Sequence, residues 1–230
     1  MSGIPKLKEI MQTSEGPVIT NVDIPEVCDR VSFVVLKRIF DVVAAIVILL
    51  LFLPVIPVII LLIKLDSPGH ILFKQKRVGK NGKTFDFYKF RSMFTGAENV
   101  VGVLRPLSGV DGPIFKLKED PRATKVGRFL RRSSLDELPQ LLNVIKGDMS
   151  IVGPRPNLPS EVAHYLPWQR KRLDVIPGIT CFWQISGRSH IGFQEWMRLD
   201  LEYIRKRSLL TDMMIIIKTI PAVIARKGAY

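Results

Sequence analysis

The sequence predicts an α+β protein, mainly helical, with a re-entrant membrane helix, a small β-hairpin and interfacial amphipathic helices. Three observations carry this. The segment Val42 to Ile63 is apolar and holds 22 residues without a charge. Two short runs on either side of Gly79-Lys80-Asn81-Gly82 read as strands. The C-terminal third mixes aromatic residues with Lys and Arg on helical stretches, a combination suited to a membrane interface.

The elements follow in order. Residues 1–30 are polar, carry Pro5, Pro17 and Pro25, and show no sustained period, so they read as a flexible arm. Residues 31–63 read as the membrane element. Its apolar segment is long enough to span a bilayer. Pro54 and Pro57 interrupt the helix near its middle. Both flanks are basic: Lys37 and Arg38 precede the segment, and Lys64, Lys74, Lys76 and Arg77 follow it. Basic flanks favour the cytoplasmic side, so a helix that enters, bends and returns satisfies both facts better than one that spans. Asp41 at its start should pair with Arg38 or another nearby base.

Asp66-Ser67-Pro68-Gly69 reads as a turn. The run Lys83 to Phe90 alternates apolar and polar residues and, with Ile71 to Val78, predicts a β-hairpin. Residues 94–115 read as loop with some helix, and residues 123–132 as a short basic helix. A further helix runs from about 135 to 146 and ends at Gly147-Asp148. After Pro159 come amphipathic stretches around Trp168 and around Phe193 to Arg207, then the short apolar run Met213 to Ile217. For any single one of these, a soluble core helix with a solvated basic face is the commoner alternative.

The 230 residues carry a net charge of +13. That implies an anionic partner, such as nucleic acid, an anionic membrane surface or a phosphorylated substrate. Two cysteines provide neither a disulfide framework nor a metal-site spacing, and three scattered histidines suggest no His-based metal site.

The most informative stretch is Ser133 to Pro156. Asp136 and Glu137 are adjacent, seven Lys/Arg residues lie between Lys116 and Arg132, and Gly153-Pro154-Arg155-Pro156 closes the segment. Ser134-x-x-Glu137 fits a capping box. Pro139 instead suits a helix that starts there. Both alternatives put the acidic pair at a helix N-terminus, where the dipole and free N–H groups favour ionised carboxylates. An ionised Asp close to Mg2+ can hold the metal or attack phosphorus. On the pair alone, a plain capped helix is the commoner outcome.

Taken together, the segments resemble the catalytic domain of the bacterial sugar transferases, the small monotopic phosphoglycosyl transferases, from about Lys37 to Tyr230. The resemblance is carried by Lys37-Arg38-x-Phe40-Asp41, Phe73-x-Gln75-x-Arg77-x-Gly79, Phe87-Tyr88-Lys89-Phe90-Arg91-Ser92-Met93 and Asp120-Pro121-Arg122. It continues through Ser134 to Gln140, Gly153 to Pro156, Pro177-Gly178-Ile179-Thr180 and Trp183-Gln184-Ile185-Ser186-Gly187-Arg188. Lys218 to Val223 is similar to exopolysaccharide-type members that transfer a hexose 1-phosphate. Cys181 departs from the pattern, where glycine is usual.

The resemblance implies that Asp136 attacks the β-phosphate of a UDP-sugar, releasing UMP, and that polyprenol phosphate then takes the phosphosugar. Glu137, with Asp136, would hold Mg2+. Arg77, Lys89, Arg91, Arg122, Arg155, Pro156, Gln184 and Arg188 become candidates for substrate binding; guanidinium suits bidentate phosphate recognition. Taken without the resemblance, Arg155 in its Pro-flanked turn is better read as holding a carboxylate or a carbonyl. The implied setting is the inner leaflet of the bacterial cytoplasmic membrane, with residues 64–230 as a catalytic domain facing the cytoplasm. No nucleic-acid partner is expected, and homo-oligomerisation is left open. A tethered nucleic-acid-binding module would also explain the charge, but no helix-turn-helix, RRM or zinc pattern is present. A conventional glycosyltransferase would need an Asp-x-Asp motif, which the sequence lacks.

Overall fold

A computed structural model describes residues 30–109, 111–117, 119–187 and 191–224. The expected N-terminal arm, apart from Arg30, and the candidate ligand Arg188 lie outside the described residues. Helix α1 covers Val31–Phe52 and α2 covers Ile56–Asp66, with a 66° bend between them. Pro54 lies in the break. Pro57 occupies the first turn of α2, where its missing N–H costs no hydrogen bond. The prolines therefore break the apolar segment as expected. Among the described residues no single helix is long and apolar enough to cross a membrane, but the bent pair is when its two arms are taken together.

One side of this pair faces the rest of the protein through Asp41, Ala45, Ile59 and Ile63. The other exposes Ile39, Val43, Ile46, Val47, Leu50, Leu61 and Leu65. Polar clamps fix the pair to the body. Arg38 donates to the carbonyls of Val144 and Ile145 at 2.5 and 2.7 Å. Asp41 accepts from Ile151 N at 3.0 Å and meets Lys37 at 3.7 Å. Asp41 thus pairs with Lys37, while Arg38 serves a helix C-terminus, where a cation complements the carbonyls.

Strands β1 (Leu72–Val78) and β2 (Thr84–Phe90) form the expected antiparallel hairpin, with Leu72 opposite Phe90 and Val78 opposite Thr84. The buried amide of Asn143 covers the outer edge of β2. It accepts from Tyr88 N at 3.2 Å and donates to Asp86 O at 2.7 Å. Helix α3 (Val101–Leu104) lies between single 3-10 turns. Helix α4 (Lys125–Arg132) is capped by the Thr124 hydroxyl, which accepts from Gly127 N. It is followed by α5 (Gln140–Lys146), which ends on Gly147 in the left-handed conformation.

The sequence did not reveal a second, parallel pair: β3 (Ser150–Val152) beside β4 (Gly178–Thr180). A Cβ on Gly178 would fall 2.0 Å from Gly153 N, so glycine is required for this approach. The pair anchors the start of the loop that carries Arg155, through Gly153 N to Thr180 O and Gly178 N to Pro154 O, both at 2.9 Å.

Helices α6 (Pro159–Val162), α7 (Pro167–Arg170) and α8 (Phe182–Ser186) are short. Helix α9 spans Phe193–Lys206 and α10 spans Leu209–Ile224. The interfacial expectation needs correction at α9. Its Phe193, Trp196, Met197, Leu201, Tyr203 and Ile204 are buried in the protein core, so its apolar face is already covered. Helix α10 does leave Leu210, Met213, Ile217 and Ile220 exposed, with Asp212 and Ile215 turned inward.

Candidate functional site

Four charged side chains from three places in the chain converge. Strand β2 supplies Lys89. Its ammonium lies 3.3 Å from Asp136 Oδ2 and 2.9 Å from Glu137 Oε1. The loop after β3 supplies Arg155. It makes a two-pronged contact with Glu137, through Nη1 at 3.3 Å to Oε2 and through Nη2 to Oε1.

The acidic pair is not presented as the capping box implied. Ser134 takes a left-handed backbone, φ 57°, and its side chain caps nothing. Leu135–Glu137 then form one 3-10 turn, and Pro139 occupies the N-cap position of α5. Pro139 rules out the Ser134-capped helix, because its ring would crowd the preceding turn. The strained serine reverses the chain from the basic α4 into the acidic turn, and strain of this kind concentrates at functional sites. Asp136 and Glu137 therefore sit one turn before α5 rather than in it.

The expectation of two readily ionised acids also changes. Burial pushes the Asp136 carboxyl above its usual range, against the pull of Lys89. Burial acts the same way on Glu137, but Arg155 and Lys89 together outweigh it and hold Glu137 well below the carboxylate range. Burial lowers and Glu137 raises the Arg155 guanidinium, with a net rise. Adjacent carboxylates cannot both ionise cheaply, so they divide the roles. Glu137 carries the fixed negative charge, and Asp136 responds to what lies near it. Three members stay in touch with solvent: Lys89 keeps 22% side-chain exposure, Glu137 21% and Arg155 21%, against 6% for Asp136. The cations can therefore meet an incoming anion.

The remaining candidates are placed elsewhere or engaged otherwise. Arg91 donates to the carbonyls of Ile63, Ser67 and Pro68, which ties the end of α2 to β2. Arg122 forms a two-pronged pair with Asp120, at 2.8 and 2.7 Å, and stacks over Phe115. Arg77 donates to Pro156 O at 3.3 Å and to Gln75 Oε1 at 2.8 Å, and lies over the Phe87 ring. Burial draws its guanidinium down to about 10. Pro156 takes part here through its carbonyl. Gln184 donates to Ile179 O at 2.6 Å. These guanidinium groups are held by protein carbonyls, carboxylates and rings.

Arg131 was not singled out from the sequence. It reaches Asp120 Oδ2 at 3.4 Å and adds to the positive field on Asp136. Its signal is position alone, at the end of α4 and five residues before Asp136.

Known proteins resemble this chain over most of its length. The family model described as bacterial sugar transferase matches residues 32–226. The galactosyl transferase CpsE of Streptococcus agalactiae is 44% identical, over 87% of this chain and 44% of its own length. The exopolysaccharide production protein ExoY of Sinorhizobium fredii is 41% identical, over 84% of this chain and 88% of its own. The undecaprenyl-phosphate galactose phosphotransferase of Salmonella typhimurium is 42% identical, over 85% and 42% respectively. The chain thus spans less than half of two of these relatives and most of the third.

Proposed function

Because the chain belongs to the bacterial sugar transferase family, we propose that it transfers a sugar 1-phosphate from a UDP-sugar to polyprenol phosphate, releasing UMP. The observation that carries this reading is the Asp136–Glu137 turn, with Lys89 and Arg155 closing on it from two other elements.

In the first step an Asp136 oxygen attacks the sugar-bearing phosphorus. The new Asp136 O–P bond forms as the bond to the bridging oxygen breaks, and UMP departs with that electron pair. In the second step a phosphate oxygen of polyprenol phosphate attacks the same phosphorus. The Asp136 O–P bond breaks, and the carboxylate is restored. Repulsion between a carboxylate and a phosphate anion is the main barrier, so fixed cations have the largest effect. Lys89 is placed to neutralise Asp136 and to meet phosphate oxygens. Arg155 holds Glu137 in place.

The two carboxylates fit Mg2+. Asp136 Oδ2 and Glu137 Oε1 already converge on one cation, the Lys89 ammonium. Among the described residues no third His, Cys, Asp or Glu completes a metal cage. Mg2+ typically takes one or two carboxylates and fills its shell with phosphate oxygens and water. When bound it would draw charge from the diphosphate and ease departure of UMP.

The exposed apolar side of α1–α2 suits lipid, since contiguous apolar surface of that kind marks an interface. We place the bent pair as a re-entrant element in the inner leaflet of the bacterial cytoplasmic membrane, with the catalytic residues on the cytoplasmic side. Cysteines introduced at the two flanks should both react from the cytoplasm; reaction of one from outside would establish a spanning helix.

The test of function is product analysis with a panel of UDP-sugars, beginning with UDP-galactose, and polyprenol phosphate as acceptor. UMP together with a lipid diphosphate sugar supports the proposal. UDP as the nucleotide product would refute it in favour of ordinary glycosyl transfer.

A further inference from the structure

The loop Gly153 to Asn157 carries no helix or strand beyond β3, yet each carbonyl from Pro154 to Asn157 has a donor. Pro154 O accepts from Gly178 N at 2.9 Å, and Asn157 O accepts from Val78 N at 2.9 Å. Pro156 O accepts from Arg77 at 3.3 Å. The carbonyl of Arg155 itself accepts from Arg172 Nη2 at 2.6 Å. Arg172 is the fulcrum of a sealed cluster. It also donates to Asn157 Oδ1 and, at 2.7 Å, to Tyr165 Oη. It pairs with Asp200 of α9 at 2.6 Å and lies 5.5 Å from the Trp196 ring and 5.8 Å from the Tyr165 ring. Its side chain is 1% exposed and that of Asp200 is 0% exposed, so this arginine is out of reach of substrate.

We infer that Arg172 is a positioning residue: it sets the Arg155 backbone so that the Arg155 guanidinium meets Glu137 in the acidic turn. The inference rests on the transferase reading above. Three points support it. First, the contact is with the backbone carbonyl of Arg155 itself. Second, the guanidinium serves three acceptors in fixed directions while its charge faces Asp200, and no other side chain can replace that fork. Third, Asp200 and the two rings lock the fork in place, as is needed where a supporting contact must hold a reacting geometry closely. Asn157 extends the support, donating to Glu161 at 2.9 Å. The sequence shows none of this, because Arg172 stands in a run of three basic residues and reads as part of a solvated face.

The test uses the full chain in lipid or detergent, with UDP-sugar and Mg2+ but no acceptor, and records the burst of UMP. Burst amplitude counts competent sites; the burst rate constant reports geometry at the reacting atoms. Arg172→Lys keeps the charge opposite Asp200 but cannot reach the three acceptors together. It is expected to lower the rate constant by about 10- to 100-fold at near-normal amplitude, with half-saturating UDP-sugar little changed. Tyr165→Phe removes one acceptor and keeps the ring, and should lower the rate constant by only about two- to fivefold, because the other contacts of the guanidinium remain. A loss of amplitude alone in Arg172→Lys, or a wild-type rate constant in Tyr165→Phe if the lysine variant does not fold, would overturn the inference and leave Arg172 a fold-keeping residue. Absence of a burst in the wild-type protein would instead overturn the covalent step of that reading and this inference with it, whereas UDP as the nucleotide product would remove the transferase reading itself.

Discussion

Glu137 and Asp200 are both inward-facing carboxylates gripped by an arginine, yet their surroundings differ. Around Glu137 the partners Lys89 and Arg155 come from separate elements and each keeps about a fifth of its side chain exposed. Around Asp200 everything is sealed: Arg172 on one side, Cys181 and the core on the others. Neither Asp200 oxygen makes a well-aligned hydrogen bond, although Arg172 stands 2.6 Å away. The pKa directions follow. Arg155 and Lys89 overcome burial at Glu137 and hold it ionised, whereas burial wins at Asp200 and pushes it up to about 6. An open pair can exchange partners with a ligand, whereas a sealed pair supports the structure around it. The two clusters are joined through Arg155, whose side chain belongs to one and whose carbonyl belongs to the other.

That contrast can be broken from either side. Asp200→Ala should have the largest effect on the fold. Removing one partner of a buried pair leaves the other charge uncompensated and costs about 3–5 kcal/mol. The measurement is the denaturant midpoint, and a loss below about 1 kcal/mol would show that solvent reaches Arg172 after all. Arg155→Ala should do the reverse. Its side chain is partly solvated, so stability should fall by about 1 kcal/mol or less, while turnover falls by about 10- to 100-fold as Glu137 loses its main anchor. A variant with normal turnover would confine Arg155 to the bland role of holding a carboxylate.

A smaller effect should appear with pH. The Asp200 carboxyl is raised from 3.8 to about 6 by burial, with Arg172 opposing. A group raised in the folded state stabilises the fold below its unfolded pKa, and that contribution is lost as pH rises through the folded value. Thermal stability should therefore decline as pH rises through about 6, and the decline should be shallower in Asp200→Asn. Equal slopes in the two proteins would show that Asp200 does not titrate there. Asp212, also raised by burial, contributes in the same direction and remains in the variant.

What could be read from the sequence was local. The bend at Pro54 and Pro57 is dictated by residues inside the segment, and the β1–β2 hairpin by alternation and a four-residue turn. The parallel β3–β4 pair was not legible, because two three-residue strands about 28 positions apart carry no period of their own. The acidic turn was half legible. Asp136 and Glu137 stood out as a pair, but Ser134-x-x-Glu137 satisfied a capping pattern that Pro139 and the left-handed Ser134 override. Roles of arginines were the least legible. A guanidinium fits phosphate, carboxylate and carbonyl alike, so only distant partners separate Arg155 at the site from Arg91 on α2 and Arg122 on Asp120.

The central claim is that Asp136 acts as a nucleophile, with Glu137 and its cations as fixed support. The most direct measurement is mass spectrometry of the protein after incubation with UDP-sugar and Mg2+ in the absence of any lipid acceptor. The account predicts about one UMP released per active site, a sugar phosphate mass on the peptide that contains Asp136, and neither signal in Asp136→Asn. UMP release that strictly requires the lipid, with no adduct on the protein, would contradict the account and establish direct transfer.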